Sequence, residues 1–362
     1  MFIKNLTLKN FRNYSIQEFK FINGVNILYG DNGQGKTNVL EALFLASMGK
    51  SFRTAHDTEM IKDGSDSLEV LVQAEDEVLK TEIKLLYNRT KQKAISLNGI
   101  YLRKMGDLMG ALPCVIFSPS TMMILSSGPS ERRKFVDMAL CQLKPVYYYN
   151  LQQYNKILMQ KNAFLRDCTR DQVNRDMLDV WNMSLAQYGA SITEHRILYL
   201  NEISEYAKEY HKNISGNNEE IEIKYIASGS SESDMFYRKL TEVSSREIER
   251  KMSLIGPHKD DIDFTLTGTG DIKKYGSQGQ KRTCVLSLKL GEMSILRKHN
   301  GKMPVLLLDD VMSELDSSRQ DMLVKGMEKT QVFITSTELE KLKNASERPC
   351  KSFLISGGKV VI

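Results

Sequence analysis

Two periodicities divide this chain. Up to about residue 105 much of the text alternates apolar and polar residues, the pattern of strands with one buried face. "LEVLVQAED" (68–76), "LKTEIKLLYN" (79–88) and "KAISLNGIYLRK" (93–104) predict an antiparallel meander, with Asn98-Gly99 marking a type I′ hairpin in the last. From about 130 to 215 the spacing becomes helical. Leu178, Trp181, Leu185, Tyr188 and Ile192 recur at alternating threes and fours, and His195 continues the line as a packed residue rather than a ligand. Leu151, Tyr154, Leu158 and Leu165 run in similar phase, and "RDCTRDQ" (166–172) is a polar break between the two runs. This text predicts an antiparallel helical hairpin, coiled-coil-like, whose stripe faces the core.

Continuous apolar runs make a third class. "VNILYG" (25–30), "CVIFSPS" (114–120) and "PVLLLDD" (304–310) read as strands buried on both faces, as in a parallel sheet. "TNVLEALFLASMG" (37–49) has apolar residues on nearly every side and reads as a buried helix. "SGNNEE" (215–220) and "SGSSESD" (228–234) are loop text around a strand "IEIKYIA" (221–227). "YGSQGQKRTCVLSLKLGEMSILRKHNG" (275–301) is a helix with Ser277 as N-cap and Asn300-Gly301 as its stop. No internal repeat appears.

The segment joining the first buried strand to its helix carries the chemistry. "GDNGQGKT" (30–37) fits the phosphate-loop pattern completely, through Gly30, Asp31, Asn32, Gly33, Gln34, Gly35, Lys36 and Thr37. A chance glycine turn is the plain alternative, but strand and helix flank the pattern where the mechanism needs them. Glycines let backbone N–H groups wrap a phosphate, and the helix start adds a favourable field. Lys36 would reach the β- and γ-phosphates of ATP, and the Thr37 hydroxyl would ligate Mg²⁺. "PVLLLDD" ends in two carboxylates. Asp309 would hold Mg²⁺ through its water shell and Asp310 would orient the attacking water. Alone, the pair reads equally well as helix-capping aspartates.

Bulk properties narrow the class. At 362 residues one large or two smaller domains are expected. Hydrophobic content of 41% and charged content of 26% are ordinary for a globular protein, and a net charge of +5 permits an acidic partner without demanding one. Five scattered cysteines (114, 141, 168, 284, 350) form no C-x-x-C, which argues against zinc or a disulfide framework and for reduced thiols in a cytoplasmic setting. Neither a signal peptide nor an 18-residue apolar run is read, so no membrane role is expected. Lys281 and Arg282 sit in the first turn of the 275–301 helix, against its dipole. A bound anion gripped by Ser277 and the amides around Gly279 would offset that cost.

"SQGQ" before a helix, some 20 residues ahead of "LLLDD", resembles the signature motif of ABC-type ATPases. "DDVMSELD" (309–316) resembles their Walker B and D-loop, the latter formed by Ser313, Glu314, Leu315 and Asp316. Among these ATPases the chain resembles the bacterial RecF family. The phrases are "LKNFRNY" (8–14), "GDNGQGKTNVLEA" (30–42), "GKSFR" (49–53), "VIFSPS" (115–120), "GPSERRKFVD" (128–137), "GPHKDDI" (256–262), "GSQGQKRT" (276–283), "LLLDDVMSELD" (306–316) and "QVFITST" (331–337). They span almost the whole chain. SMC proteins share several of them but place hundreds of residues where this chain has a short hairpin.

The resemblance implies an α/β ABC-type head, a mixed sheet with an antiparallel β-subdomain, formed by residues 1–120 and 245–362, with a mostly helical lobe inserted at 121–244. It implies two subunits sandwiching two ATP molecules, with Ser277, Gly279 and Gln280 of one chain meeting the γ-phosphate held by Lys36 of the other. Arg12 and Asn13 match positions near the nucleotide. It further implies DNA binding by the ATP-bound homodimer at double-stranded or gapped DNA, and work with RecO and RecR in loading RecA during DNA repair, replication restart and the SOS response.

Asp310 replaces the glutamate of many ABC ATPases, and "VFITSTE" lacks their switch histidine. Slow hydrolysis, a timing switch rather than a motor, is expected. Arg132, Arg133 and Lys134, and Arg89, Lys91 and Lys93, are basic clusters that could meet phosphate or simply face solvent. His258 has no role readable from sequence. A transporter ATPase subunit, a non-hydrolysing ATP-bound DNA scaffold and a phosphate-loop kinase are the alternatives. The first normally carries the switch histidine, and the last gives no reason for the "SQGQ" helix.

Overall fold

The computed structural model describes the chain except residues 77, 91, 168–173, 217–218, 313–314, 328, 338–347 and 362. The alternating text folds as expected. β1 (Phe2–Phe11), β2 (Tyr14–Lys20), β4 (Ser67–Glu75), β5 (Lys80–Asn88), β6 (Lys93–Leu97) and β7 (Ile100–Tyr101) make one antiparallel sheet in the order β2-β1-β4-β5-β6-β7. Asn98 and Gly99 have φ of 52° and 81°, both positive, as a type I′ turn requires.

The continuous apolar runs assemble a second sheet. β3 (Val25–Tyr29), β8 (Cys114–Phe117), β12 (Val305–Asp309), β13 (Val332–Ser336), β14 (Cys350–Ser356) and β15 (Lys359–Val360) lie in the order β15-β14-β3-β13-β12-β8. All neighbours are parallel except β15, which closes an antiparallel edge. Strands distant in sequence thus end side by side, and β13 separates the phosphate-loop strand β3 from the carboxylate strand β12. α1 (Lys36–Met48) follows β3 and is buried on nearly all sides. A third sheet, β11-β10-β9, joins β9 (Ile221–Ile226), β10 (Asp261–Leu266) and β11 (Gly270–Asp271), so β9 pairs with a strand from beyond residue 245.

The helical text gives α2 (Pro119–Met122), α3 (Pro129–Leu143), α4 (Pro145–Asp167), α5 (Arg175–Ser215) and α6 (Ser233–Arg250), then α7 (Ile272–Tyr275), α8 (Gln278–Asn300) and α9 (Ser317–Gly326). α4 and α5 pack as the hairpin, and α5 also lies along α6, α8 and β9. "RDCTRDQ" falls partly outside the described residues. Leu178, Leu185 and Ile192 are core, but Trp181, Tyr188 and His195 are only half-buried. The deep face is turned toward Asn182, Ala186, Gly189, Thr193 and Arg196, and so includes three polar side chains. Arg196 donates to Asp137 (3.0 and 3.1 Å), Tyr225 Oη (3.2 Å) and the Pro257 carbonyl (2.8 Å), tying α5 to α3, β9 and the loop before β10. Among the described residues no helix is long and apolar enough to cross a membrane.

Candidate functional site

The loop between β3 and α1 is held in shape from three sides. Gly30 has φ 137°, and a Cβ there would stand 2.4 Å from the Ile355 carbonyl oxygen of β14. Gly35 has φ 116°, and a Cβ there would meet the Asn13 amide at 2.8 Å and the Tyr14 hydroxyl at 3.0 Å. Only glycine satisfies both the conformation and the space. The Gln34 carbonyl accepts from Asn13 Nδ2 (2.8 Å) and the Gly358 amide (3.1 Å), while Gln34 Oε1 accepts from the Gly357 amide (2.7 Å). Asp31, Asn32 and Gly33 form the exposed crest. Gly35 also serves as the N-cap of α1, which has no side-chain cap. The helix start is therefore open to an anionic acceptor.

Lys36 is buried and curls over the loop, donating to the Gly30 and Asp31 carbonyls at 2.7 and 2.9 Å. Thr37 Oγ1 donates to Asp309 Oδ1 at 2.7 Å, although 272 residues separate them. Thr335, at the end of the intervening β13, donates to the same carboxylate oxygen at 3.0 Å and accepts the Asp310 amide at 2.9 Å. Sheet order explains this convergence, because adjacent parallel strands end at one edge. Burial raises the Asp309 carboxyl above its usual range; the Asp310 charge adds to this, and the hydrogen bonds from Thr37 and Thr335 oppose it. Asp310 has φ 53°. The hydroxyl and carboxylate present an all-oxygen donor set, the chemistry Mg²⁺ selects. Among the described residues no group of three or more His, Cys, Asp or Glu side chains forms a metal cluster.

Arg12 and Asn13 do reach the loop's surroundings, but differently. Asn13 touches the loop directly and accepts from Asn38 Nδ2 at 2.8 Å. Arg12 instead makes a two-pronged pair with the buried Glu41 of α1 at 2.6 and 2.9 Å. Ser51 Oγ (2.5 Å) and Arg53 Nη1 (3.3 Å) converge on the same carboxylate. This Glu41 cluster gives "GKSFR" a role that sequence reasoning missed. A buried glutamate in an apolar helix was its one sequence signal.

Ser277 caps α8. Its Oγ accepts the Gln280 amide at 3.2 Å, and its own amide donates to Gln280 Oε1 at 2.8 Å, a reciprocal capping box. Ser277 and Gln278 are exposed, so the turn faces outward. Its back is braced: Arg319 donates to the Gly279 carbonyl (3.0 Å) and Thr283 Oγ1 (2.8 Å), and pairs with Asp316. Ser313 and Glu314 lie outside the described residues.

Four of the six basic residues bond within the fold, while Lys134 is exposed, 3.9 Å from Glu131. α3 starts at Pro129, upstream of the three basic residues. Arg132 is buried and makes a two-pronged pair with Asp261 at 2.7 and 3.0 Å, and Arg133 donates to the Asp260 carbonyl at 2.7 Å. Arg89 donates to the Ser65 carbonyl at 2.7 Å, and Lys93 to the Gly49 carbonyl at 2.6 Å. Lys91 lies outside the described residues. His258 is structural too: its Nδ1 lies 2.7 Å from Tyr154 Oη, and burial lowers it to about 4.

A parallel sheet with a glycine loop at one strand end, a paired hydroxyl and carboxylate beside it, and an exposed capped serine on a separate helix define a phosphate-loop ATPase head of the SMC type. Comparison with known proteins makes this specific. The RecF/RecN/SMC N-terminal domain family matches residues 2–356, and the chain belongs to the RecF branch of it. It is 42% identical over 352 residues to the DNA replication and repair protein RecF of Acetivibrio thermocellus, with 95% of each chain covered. It is 40% identical over 369 residues to RecF of Ruminiclostridium cellulolyticum, with 99% of each covered. A solved structure of the recombination mediator protein RecF with ATP superposes with a TM-score of 0.91 at 36% identity, covering 99% of this chain and 96% of that one. An SMC head solved with the C-terminal winged-helix domain of ScpA (TM-score 0.56, 15% identity) shares the fold.

Proposed function

We propose that this protein is an ATP-dependent DNA-binding protein of recombinational repair and replication restart, whose subunits dimerise around ATP on double-stranded or gapped DNA and separate after slow hydrolysis. The observation that carries this is the pairing of a ready phosphate loop, with Thr37 already on Asp309, and an outward-facing signature serine on a different helix. In this reading ATP's triphosphate lies on the 30–37 loop, with Lys36 turning from the Gly30 and Asp31 carbonyls to phosphate oxygen. Thr37 ligates Mg²⁺, and Asp309 holds it through water. Ser277, with Gly279 and Gln280, presents the α8 start to the γ-phosphate bound by a second copy. Asp310, lying beside Thr335, orients water; the missing imidazole keeps the ATPase weak, with DNA as its stimulus. RecO and RecR are the partners that family membership suggests, and the place of action is the cytoplasm.

The test is molar mass by light scattering with Mg²⁺-ATP, with and without gapped duplex DNA. Wild type is expected to pass from monomer to dimer. Ser277→Arg should stay monomeric. So should Ser277→Asp, which caps a helix as well as serine but repels phosphate. Dimerisation of the Asp variant at the wild-type ATP concentration would remove the serine–phosphate contact from this account. A wild-type mass that neither ATP nor DNA changes would remove the sandwich.

A further inference from the structure

The signature turn is connected to the far larger lever beside it. α5 is 41 residues long, about 60 Å at 1.5 Å per residue, and one turn before its C-terminal end it carries His211. His211 is completely buried, and its Nε2 stands 3.5 Å from Glu219 Oε2. The other oxygen of Glu219 accepts from Gln280 Nε2 at 2.7 Å. The same Nε2 also donates to Thr269 Oγ1 in the β10–β11 turn, at 3.1 Å. Gln280 is the residue whose side-chain Oε1 accepts from the Ser277 amide and whose main-chain amide is capped by Ser277 Oγ. His211 Nε2 faces Glu219 without a hydrogen bond to it, so burial and proximity couple the end of α5 to Glu219, and from there hydrogen bonds run through Gln280 to Ser277. Gln280 uses both ends of its amide at once, the oxygen on Ser277 and the nitrogen on Glu219. Rotating that amide to follow Glu219 would break the capping box.

We infer that Glu219 is a positioning residue for the signature serine, coupling the C-terminal end of α5 to the turn that meets ATP across the dimer. Movement of α5 relative to the head shifts Glu219, and with it the side chain that fixes the Ser277 main chain. An event on the helical lobe, DNA contact among them, is thereby reported at the ATP interface. Glu219 makes none of the phosphate loop's hydrogen bonds described above, so its effect is on subunit association and not on nucleotide capture by the monomer. The inference rests on the ATP-sandwich reading for its consequence, and on Gln280 geometry for its mechanism.

Two variants separate acceptor from charge. Glu219→Gln keeps an oxygen for Gln280 Nε2, and Glu219→Ala removes it. The alanine variant should raise the dissociation constant of the Mg²⁺-ATP dimer about tenfold, the effect of one hydrogen bond to a charged group. ATP binding by the monomer should stay within about twofold, and the glutamine variant should recover most of the dimerisation. Hydrogen exchange of the 277–283 amides in the ATP-free monomer should rise in the alanine variant. Unchanged dimerisation and unchanged exchange would overturn the inference, as would a parallel loss of monomer ATP binding, which signals general unfolding. Should wild type itself stay monomeric in ATP, the sandwich reading fails, and the exchange arm still decides whether Glu219 orders this turn.

Discussion

Glu41 lies on α1 one turn after the Lys36-Thr37 pair and holds Arg12, Arg53 and Ser51 together while fully buried. A buried carboxylate persists only when paired and hydrogen-bonded, and this one gathers "LKNFRNY" and "GKSFR" onto the phosphate-loop helix. Arg132 follows the same logic. Its guanidinium is almost completely buried and reaches Asp261, together with the Ser127 carbonyl at 2.7 Å. Arg132→Ala is expected to cost about 3 kcal/mol in urea unfolding, because Asp261 loses its two-pronged partner, though it keeps Lys273 at 3.8 Å and the Ile262 amide, and that carbonyl loses its donor. Under conditions where the variant stays folded, the salt dependence of its DNA binding should match wild type. A lost phosphate contact would instead lower the log–log slope by about 0.9. Sequence shows that such arginines are basic; it does not show that they point inward, because the partners Asp261 and Glu41 lie far away along the chain or within an apolar run. The phosphate loop, Thr37, Asp309 and the Ser277 cap were legible for the opposite reason. Each depends on local spacing, and only the meeting of Thr37 with Asp309 needed the sheet.

At the scale of elements, apolar periodicity named the meander, the parallel strands and the α4–α5 hairpin. It missed how the hairpin docks, since the deep face of α5 carries Asn182 and Arg196, which read as polar positions. The docking is a chain of buried polar contacts. Asp260 accepts from Ser228 (2.7 Å) and Tyr225, and His258 faces Tyr154 of α4. The His258 Nε2 lies 3.5 Å from the Ser253 carbonyl. That carbonyl requires a proton on Nε2, so Nδ1 accepts from Tyr154. Burial, the largest cause, keeps His258 neutral down to about pH 4, while an unfolded histidine protonates near 6.5. A base with a depressed folded pKa favours the native state above its unfolded pKa and loses that advantage as pH falls. Stability should therefore drop by about 2 kcal/mol from pH 7 to pH 5 on account of this residue. In His258→Gln, whose amide serves both neighbours, denaturant midpoints over that range should flatten correspondingly. A slope equal to wild type would place the acid sensitivity elsewhere.

At the scale of the whole molecule, the proposed sandwich would use these parts between two copies. The loop that would hold ATP ends β3, the serine that would meet its γ-phosphate starts α8, and Arg319 links that turn to Asp316 at the approach from the carboxylate strand. In that proposed arrangement, hydrolysis in one site would be felt at the same turn that Glu219 reaches. Asp310 offers a clean way to stop the cycle without disturbing this frame. It has φ 53°, a left-handed conformation that asparagine adopts as readily as aspartate. Its amide bond to Thr335 Oγ1 is main-chain and survives substitution. Asp310→Asn removes the charge and keeps an oxygen for Thr335 Oγ1, which stands 3.4 Å from Asp310 Oδ1. Steady-state ATP hydrolysis should fall by about 100-fold, the usual share of a positioned general base, while ATP still drives dimerisation. The variant should then outlast wild type on gapped DNA after free ATP is removed, seen as a slower decay of fluorescence anisotropy. Equal dissociation of the two proteins would mean that hydrolysis does not time release, and that the nucleotide serves this protein as a fixed structural part.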